Sequence, residues 1–438
     1  MSGLFSIDDS LTNKISFYHL VLLLASLPFD MFYNHLILIS YALHTFIHLR
    51  TKSIKPIFNL RMLALQLVFI VTILCTIYST NKTEAGTEIG RRAAILIVPF
   101  LFCLNPFDIR RYRDKLFLCF SIVCTGIILY LYANALLTLK YFGLPYSLLF
   151  SSNFANHNFS EPINMHATFF SMQVALALVF LISRLITEQT RRAKLLYLAG
   201  CLILTIGLVQ LSSKSVFIAL FLIVNAVVPL FLLQGAKRRK YILVSASLSA
   251  LLIAGILYSN TFRERYITEL TTDLSPAQKG EIIDSRLARW SVIADLIKKK
   301  PVIGYGTGAE VGLLHYAFFN NKLYNSFLHN LNAHNEYLSF LVKSGIIGLL
   351  VYLAVLAFGL KISFQQKNLL FFSFMLIIAT VSFSENILDV DKGIIYYSFF
   401  YSFFIFSEAG KIRVTEPEKT HKYSEPRATK AVIEPSLL

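Results

Sequence analysis

The stretch HNLNAHNEYLSFLVKSGIIGLLVYL, residues 329–353, begins with histidine, asparagine and glutamate and then becomes almost wholly apolar. The apolar character continues to residue 360, and a helix needs about 20 mainly apolar residues to span a hydrocarbon core of about 30 Å. The same character recurs along the whole chain. Of the 438 residues, 55% are hydrophobic and 15% are charged, and the mean hydropathy is +0.61. Because soluble domains carry about 25% charged residues, this composition indicates a membrane protein.

Apolar segments of this kind occur twelve times, and we predict that each is a transmembrane helix. They are apolar on all sides, whereas the lipid-facing strands of a β-barrel alternate in polarity with a period of two. The predicted fold is therefore all-α, a polytopic membrane bundle of about twelve helices. The predicted spans are residues 16–30, 31–48, 62–79, 93–106, 115–138, 166–186, 194–211, 215–233, 241–258, 336–360, 368–384 and 393–407.

Basic residues follow the even-numbered spans, for example Arg110 and Arg111 after span 4 and Lys237 and Arg238 after span 8. Short loops rich in Lys and Arg stay in the cytoplasm, so the sequence predicts that both termini are cytoplasmic. These orientation signals and attraction to membrane lipids explain the net charge of +16, and we expect no nucleic-acid partner.

All five cysteines fall inside predicted spans, where we expect buried thiols rather than disulfides.

The spans divide the chain into four parts. Residues 1–258 hold spans 1–9, residues 259–335 form one long extracytoplasmic loop, residues 336–409 hold spans 10–12, and residues 410–438 are expected to be a disordered cytoplasmic tail. Connections in helix bundles usually have roughly two to eight residues, so the long loop is expected to carry function. Its segment DSRLARWSVIADLIKKK, residues 284–300, predicts an amphipathic helix with Asp284 or Ser285 as its N-cap.

Basic residues collect at the predicted outer ends of the spans and on the loop helix. A charge inside the bilayer would cost a few kcal/mol, so the charges at the ends of the spans need an explanation. Arg91 and Arg92 precede span 4, and Lys214 lies in the tight turn between spans 7 and 8. Arg286 and Arg289, three residues apart on the loop helix, can both point at one anion. Snorkelling to the interface and a solvated basic face are the alternatives. The cations collect at the level where a pyrophosphate headgroup carried by a lipid would sit, and from the residues alone both alternatives remain open.

Imidazole and acidic groups lie at the same level. Glu385 is in the acidic outer turn between spans 11 and 12, His166 opens span 6, and His334 with Asn335 opens span 10. A histidine at a helix start is often a cap or an interface residue.

The nearby GYGTG, residues 304–308, follows a helix outside the membrane, so we interpret it as a turn rather than a nucleotide-binding loop.

His334 and Asn335, nine residues and then Gly345-Ile346-Ile347-Gly348 resemble the signature H-[NSQ]-x9-G-x-x-[GTY] of the O-antigen ligase and polymerase superfamily of bacterial membrane glycosyltransferases. Just upstream, SRLARW at 285–290 and KKPVIGYGTG at 299–308 look like the Arg-x-x-x-Trp and Pro-x-x-Gly-x-Gly block of that family. The twelve predicted spans and the long outer loop before the histidine are also similar to the family.

The resemblance implies an enzyme that moves a glycan from undecaprenyl pyrophosphate to an acceptor hydroxyl, without a metal or another cofactor. The site would lie at the periplasmic face of the cell inner membrane, and the acceptor would be lipid A-core in a ligase or the next repeat unit in a polymerase. It implies that His334 is the general base and that Arg286 is an essential arginine of the loop. Lys214 stands where many members carry arginine.

Elementary chemistry agrees with these roles. A hydroxyl that attacks an anomeric carbon must lose its proton, and a histidine with an ordinary pKa near 6.5 can accept it at neutral pH. Cations stabilise the charge on the departing pyrophosphate, and we expect Lys214, Arg91, Arg92 and Arg289 to bind it. We therefore expect catalysis by His334 and Arg286, inversion at the anomeric carbon, and support from Asn335, Glu385 and His166. We also expect Gly345 and the glycine that follows three residues later to let a neighbouring helix pack closely.

Two groups of alternatives remain open. A repeat-unit polymerase and a protein O-oligosaccharyltransferase would use the same donor, and ligase is preferred because it is the common label for this signature. A lipid-linked glycan transporter belongs to a different class. Transporters place substrate near the bilayer midplane on broken helices of related halves, whereas the polar residues of this chain lie at the outer edge of the predicted spans.

Overall fold

The computed structural model describes residues 6–49, 60–275 and 284–408, and none of these residues lies in a β-strand. The expected tail at 410–438 lies outside the described residues. The α-helices up to the tight turn at residue 213 are α1 (Leu11–Ser26), α2 (Met31–Ile47), α3 (Leu60–Thr76), α4 (Lys82–Leu104), α5 (Ile109–Tyr141), α6 (His157–Ser160), α7 (Ala167–Thr187) and α8 (Arg191–Leu211). Short 3-10 helices flank α6 at Tyr146–Phe150, Ser152–Phe154 and Glu161–Ile163.

The elements after residue 213 are also helices. Two π-helical turns, Ile223–Val227 and Glu264–Thr268, and a 3-10 helix, Ile387–Asp389, interrupt them. The α-helices are α9 (Lys214–Leu222), α10 (Val228–Leu232), α11 (Gly235–Tyr258), α12 (Asn260–Arg263), α13 (Glu269–Asp273), α14 (Arg286–Lys299), α15 (Glu310–Asn320), α16 (Tyr324–Leu328), α17 (Glu336–Gln365), α18 (Leu369–Val381) and α19 (Asp391–Glu408).

The all-α prediction is confirmed, and helix lies at each of the twelve predicted segments. Among the described residues, six helices are long and apolar enough to cross a membrane, and α3 and α18 are shorter apolar helices. The chain is therefore an integral membrane protein, while the number of twelve spans stays a prediction. The six helices are Ile109–Tyr141, Ala167–Thr187, Arg191–Leu211, Lys214–Leu232, Gly235–Tyr258 and Glu336–Gln365.

The core of the bundle is rich in aromatic side chains. Phe117 of α5 packs against Phe400 and Phe404 of α19, with ring centroids 5.8 and 5.7 Å apart, and all three rings are buried. The five cysteines are buried and form no disulfide, as the sequence predicted. Packing of this kind holds α5 and α19 together.

One end of the bundle gathers the connections that carry the candidate residues. The Lys392 ammonium, at the start of α19, donates to the backbone carbonyl of Asn164, which precedes α7. The Ser384 hydroxyl, after α18, donates to the Ser215 hydroxyl in the first turn of α9 at 2.7 Å. The starts of α7, α9 and α19 and the turn after α18 therefore lie at the same end of the bundle.

The described part of the long loop folds onto α17 and has its own small core. Ile293 of α14 and Leu314 and Phe318 of α15 are buried together with Ala333 and Val342. The helix expected from residue 284 is α14, and the Ser285 hydroxyl caps it by accepting a hydrogen bond from the backbone N–H of Ala288 at 3.2 Å. This core fixes the loop against the membrane bundle through apolar contacts.

Helix α17 is broken at Gly345, which has φ 64° and ψ −162°, a backbone conformation that is essentially limited to glycine. The segment 301–306 fills the break, where the N–H of Ile346 donates to the carbonyl of Pro301 at 2.8 Å. A Cβ on Gly345 would lie 2.2 Å from the carbonyl oxygen of Val302. The expectation that Gly345 admits a neighbouring helix is therefore wrong, because loop backbone occupies that space.

The other glycines of this region serve close packing as well. A Cβ on Gly348 would lie 1.9 Å from Oγ of Ser344 in its own helix and at an ordinary contact distance, 3.5 Å, from Val71 of α3. In the GYGTG turn, a Cβ on Gly308 would lie 2.3 Å from the backbone nitrogen of Ala85 in α4. The turn therefore packs directly on the bundle, in agreement with its interpretation as a structural turn.

Candidate functional site

His334 lies between α16 and α17 with φ 43°, a left-handed conformation that is uncommon for a non-glycine residue. Its backbone N–H donates to Oδ1 of Asn332 at 2.9 Å. The preceding residue, Ala333, is held on both sides, because its N–H donates to Oε1 of Glu310 at 3.1 Å and its carbonyl accepts from the indole of Trp290 at 3.0 Å. These bonds determine the position of His334.

Asn335, a predicted supporting residue, is the N-cap of α17. Its side-chain oxygen accepts from the N–H of Leu338 at 3.1 Å, and its own N–H donates to Oδ1 of Asn386 at 2.8 Å. Asn335 therefore begins the helix and ties it to the turn that follows α18.

Glu385 lies beside His334, with its Oε2 3.5 Å from Nδ1 of the imidazole. This is an ion-pair distance, longer than an ordinary hydrogen bond, and the buried Nδ1 has no hydrogen-bond partner among the described residues. Thr168 donates to the other carboxylate oxygen at 3.4 Å. Burial alone would raise the pKa of Glu385, but His334 beside it and Arg286 lower the pKa below its ordinary value. Glu385 is therefore ionised at neutral pH.

Arg286 and Lys214 meet at one carboxylate. Oδ2 of Asp273 lies 3.4 Å from Nε of Arg286 and 3.8 Å from Nζ of Lys214. Arg286 also donates from Nη1 to the carbonyl of Ser384 at 3.2 Å, which is the residue before Glu385. The structure thus brings these two predicted cations together and places Arg286 next to the turn that carries Glu385.

Arg289 lies one turn after Arg286 on α14 and is 5% exposed. Its Nε and Nη1 are buried and have no hydrogen-bond partner in the part of the chain that the structure describes. Burial and the neighbouring Arg286 lower the pKa of Arg289 to about 10, so the guanidinium remains charged at neutral pH. A buried charge without a partner is costly, and an anionic ligand would relieve that cost.

A cavity of about 470 Å³ opens beside His334 and Glu385. His166 and His157 also line it, with their ring centroids 4.1 Å apart. His166 caps α7, because its Nδ1 accepts from the N–H of Thr168 at 3.3 Å. Burial lowers the pKa of His166 to about 4, so this ring is neutral at pH 7. The sequence analysis missed His157, since nothing in a polar loop distinguishes it locally.

Arg92 has a different environment from the one that the sequence predicted. It is 3% exposed, and its Nη2 lies 2.6 Å from Asp389 and 3.0 Å from Glu88, one turn earlier in α4. Lys343 of α17 lies 2.7 Å from the same Asp389 and 3.4 Å from Glu310. We call Arg92, Lys343, Glu88, Glu310 and Asp389 the buried ion cluster.

The geometry does not support the pyrophosphate contact predicted for Arg92, because its guanidinium is engaged within the buried ion cluster. Arg91, the neighbouring prediction, is half-exposed and pairs with Glu84 at 3.0 Å. It lines a separate small cavity of about 100 Å³. The two arginines therefore lie apart from the cations around Asp273.

Two side chains connect the buried ion cluster to the candidate site by hydrogen bonds. Glu310 accepts from the N–H of Ala333, and Asn386 donates to Oδ2 of Asp389 at 2.9 Å while it accepts from the N–H of Asn335. Two sequence signals mark single members of this cluster, namely Lys343 inside an apolar span and Glu88 four residues before Arg92, but neither joins the three helices.

A family model described as O-antigen ligase matches residues 176–353, a segment that runs from α7 to α17 and includes Lys214, the long loop and His334. No curated protein matches the chain.

Proposed function

The chain belongs to the O-antigen ligase superfamily, and from this premise we propose that it transfers a glycan from undecaprenyl pyrophosphate to a hydroxyl of lipid A-core. The proposed site faces the periplasm at the inner membrane, with both termini in the cytoplasm. The observation that carries the proposal is the approach of the Glu385 carboxylate to Nδ1 of His334, next to the cations at Asp273.

In this mechanism Glu385 fixes the imidazole. An ionised carboxylate at Nδ1 favours the tautomer that carries its proton there, which leaves Nε2 of His334 free to accept a proton. Nε2 removes the proton of the acceptor hydroxyl while its oxygen attacks the anomeric carbon. Asn335 and Ala333, both held by hydrogen bonds, keep the imidazole in place.

The leaving group departs as the new bond forms. The anomeric carbon–oxygen bond to the phosphate breaks, its electron pair stays on the undecaprenyl pyrophosphate oxygen, and direct displacement inverts the anomeric centre. Arg286, Lys214 and Arg289 stabilise the negative charge that develops there, so the proposal assigns this role to side chains rather than to a metal. The unpartnered nitrogens of Arg289 support an anion at this position.

Lys214 is a weaker phosphate ligand than arginine, because an ammonium lacks the planar fork that binds two oxygens at once. Glu269 and Asp273 lie 3.4 and 3.8 Å from its Nζ. A pyrophosphate would compete with these carboxylates for Lys214. In the proposal, Arg286 and Arg289 therefore make the principal contacts and Lys214 contributes charge.

Deletion of the gene and gel analysis of the surface polysaccharide would test the proposal. We expect full-length glycan to accumulate on carrier lipid and to disappear from lipid A-core. Complementation with His334→Ala should fail, whereas Asp295→Asn, which changes an exposed side chain of α14, should restore ligation at equal protein level.

The other outcomes of the deletion would contradict a ligase and identify another activity. Single repeat units on lipid A-core would indicate a polymerase. Unchanged polysaccharide with lost protein glycans would indicate an O-oligosaccharyltransferase. Lipid-linked glycan confined to the cytoplasmic leaflet would indicate a transporter.

A further inference from the structure

The cavity beside His334 differs chemically from the cation cluster around Asp273. Glu161 and Glu385 contribute carboxylates to it, and Asn164 contributes an amide. Lys392 also lines the cavity, but its ammonium donates to the backbone carbonyl of Asn164. The two carboxylates outnumber this one ammonium, so the cavity disfavours an anion, whereas a hydroxyl can donate hydrogen bonds to the carboxylates.

The imidazoles of the cavity are also suited to hydroxyl groups. Burial lowers the pKa of both His157 and His166, so both rings are neutral at pH 7. Their Nδ1 atoms accept from the N–H groups of Ala167 and Thr168, which leaves one Nε2–H donor on each ring for a sugar hydroxyl. Phe169, whose ring centroid lies 5.2 Å from that of His166, adds an apolar wall. A few polar groups on a partly apolar wall are typical of small-molecule sites, and the cavity volume falls within their usual range of about 300–1,000 Å³.

His334 and Glu385 stand where this cavity meets the cation cluster. The cations are carried by α9 and α14, whereas the cavity is lined from α6, α7 and the residues just before and at the start of α19. In the proposed reaction the base must touch the acceptor hydroxyl, and the leaving pyrophosphate must lie on the other side of the anomeric carbon. The cavity therefore lies where the acceptor has to be.

We propose that this cavity is a carbohydrate subsite that binds the neutral, polyhydroxylated acceptor sugar, with Glu161 and Asn164 at its rim bonded to sugar hydroxyls. The inference rests on the proposed function and names the ligand class of one part of that site. Glu161 is exposed and belongs to the short 3-10 helix before α7, so its side chain can be changed with little effect on packing.

Kinetics with separate variation of the two substrates would test the subsite. The probes are core lipopolysaccharide without O-chains as acceptor and undecaprenyl-pyrophosphate-linked glycan as donor. We expect Glu161→Ala to raise the acceptor KM about tenfold, since one hydrogen bond to a charged group is lost, with the donor KM within about twofold of wild type. Glu161→Gln, which keeps an acceptor atom, should restore most of the loss, and Asp295→Asn should behave as wild type.

A higher donor KM with an unchanged acceptor KM would overturn the proposal, and so would wild-type kinetics for Glu161→Ala.

Binding measured by calorimetry gives a readout that does not depend on turnover. Lipid-free core oligosaccharide should bind about tenfold more weakly to Glu161→Ala, and inorganic pyrophosphate should bind no more weakly. If wild type binds the oligosaccharide but transfers nothing to lipid A-core, the proposed function fails and the subsite stands. If wild type binds no oligosaccharide, the subsite fails.

Discussion

The indole N–H of Trp290 donates a 3.0 Å hydrogen bond to the backbone carbonyl of Ala333, and this bond connects α14 to the residue before His334. Arg286 lies one turn earlier on the same helix and contacts the turn that carries Glu385. A single loop helix therefore positions both the proposed base and a proposed pyrophosphate ligand.

We predict that Trp290→Phe lowers the rate of glycan transfer by about 10- to 100-fold, because small shifts of a positioned group have large kinetic effects. The ring would still pack on the loop core, so the loss of stability should be about 1–2 kcal/mol, the cost of one unsatisfied carbonyl. Transfer assays at equal protein level and thermal unfolding in detergent would measure the two effects. An unchanged rate would mean that this bond does not position His334.

A pH effect on stability is expected from His166. Its pKa is about 4 in the folded protein and 6.5 ordinarily, so the unfolded chain binds the extra proton first as the pH falls. The free energy of unfolding should therefore decrease between pH 6.5 and pH 4, by up to roughly 3 kcal/mol. Protonation of Nδ1 would also remove the cap on α7.

The variant His166→Asn keeps a side chain that can cap a helix and has no group that titrates in this range. Its apparent Tm in detergent should decline less than that of wild type between pH 6.5 and pH 4.5. His157, whose pKa burial also lowers, should account for part of the remaining decline. Parallel pH profiles for the two proteins would refute the assignment to His166.

The buried ion cluster should be important for stability. Lys343→Met would leave Glu310 and Asp389 without their ammonium partner, and breaking a buried ion pair costs about 3–5 kcal/mol. Lys298→Met, which removes an exposed ion pair with Asp295, should change stability by about 1 kcal/mol or less. Unfolding of both variants in detergent would compare them.

A double-mutant cycle would separate the ion pair from side-chain packing. If Lys343 and Asp389 interact as the structure has them, Asp389→Asn in the Lys343→Met background should cost less than Asp389→Asn alone. Additive losses would contradict a direct interaction between the two groups.

The break in α17 should tolerate no side chain. Gly345→Ala would force a Cβ to within 2.2 Å of the Val302 carbonyl oxygen at φ 64°, so we expect a loss of at least about 2 kcal/mol or a failure to accumulate in the membrane. Gly312→Ala is the matched control, because its Cβ would meet nothing within 4 Å in α15. That variant should be neutral or gain about 0.5–1 kcal/mol. Equal stability of the two variants would argue against the break.

The candidate site was partly predictable from the sequence. His334, Glu385, Arg286 and Lys214 were expected at one level, because spans of known length place their ends at the membrane surface. The structure shows that Asp273 joins the last two, a carboxylate without any sequence signal. His157 was missed for the same reason.

The sequence by itself determined what depends on neighbouring residues. Runs of apolar side chains set the helices and their burial in lipid, and Ser285 set the start of α14, because helix formation and capping act over a few residues. Only the tertiary structure decided that Arg92 belongs to the buried ion cluster. Glu88 and Lys343, 3.1 Å apart, are separated by more than half the chain, and a contact of that kind exists only after the helices pack.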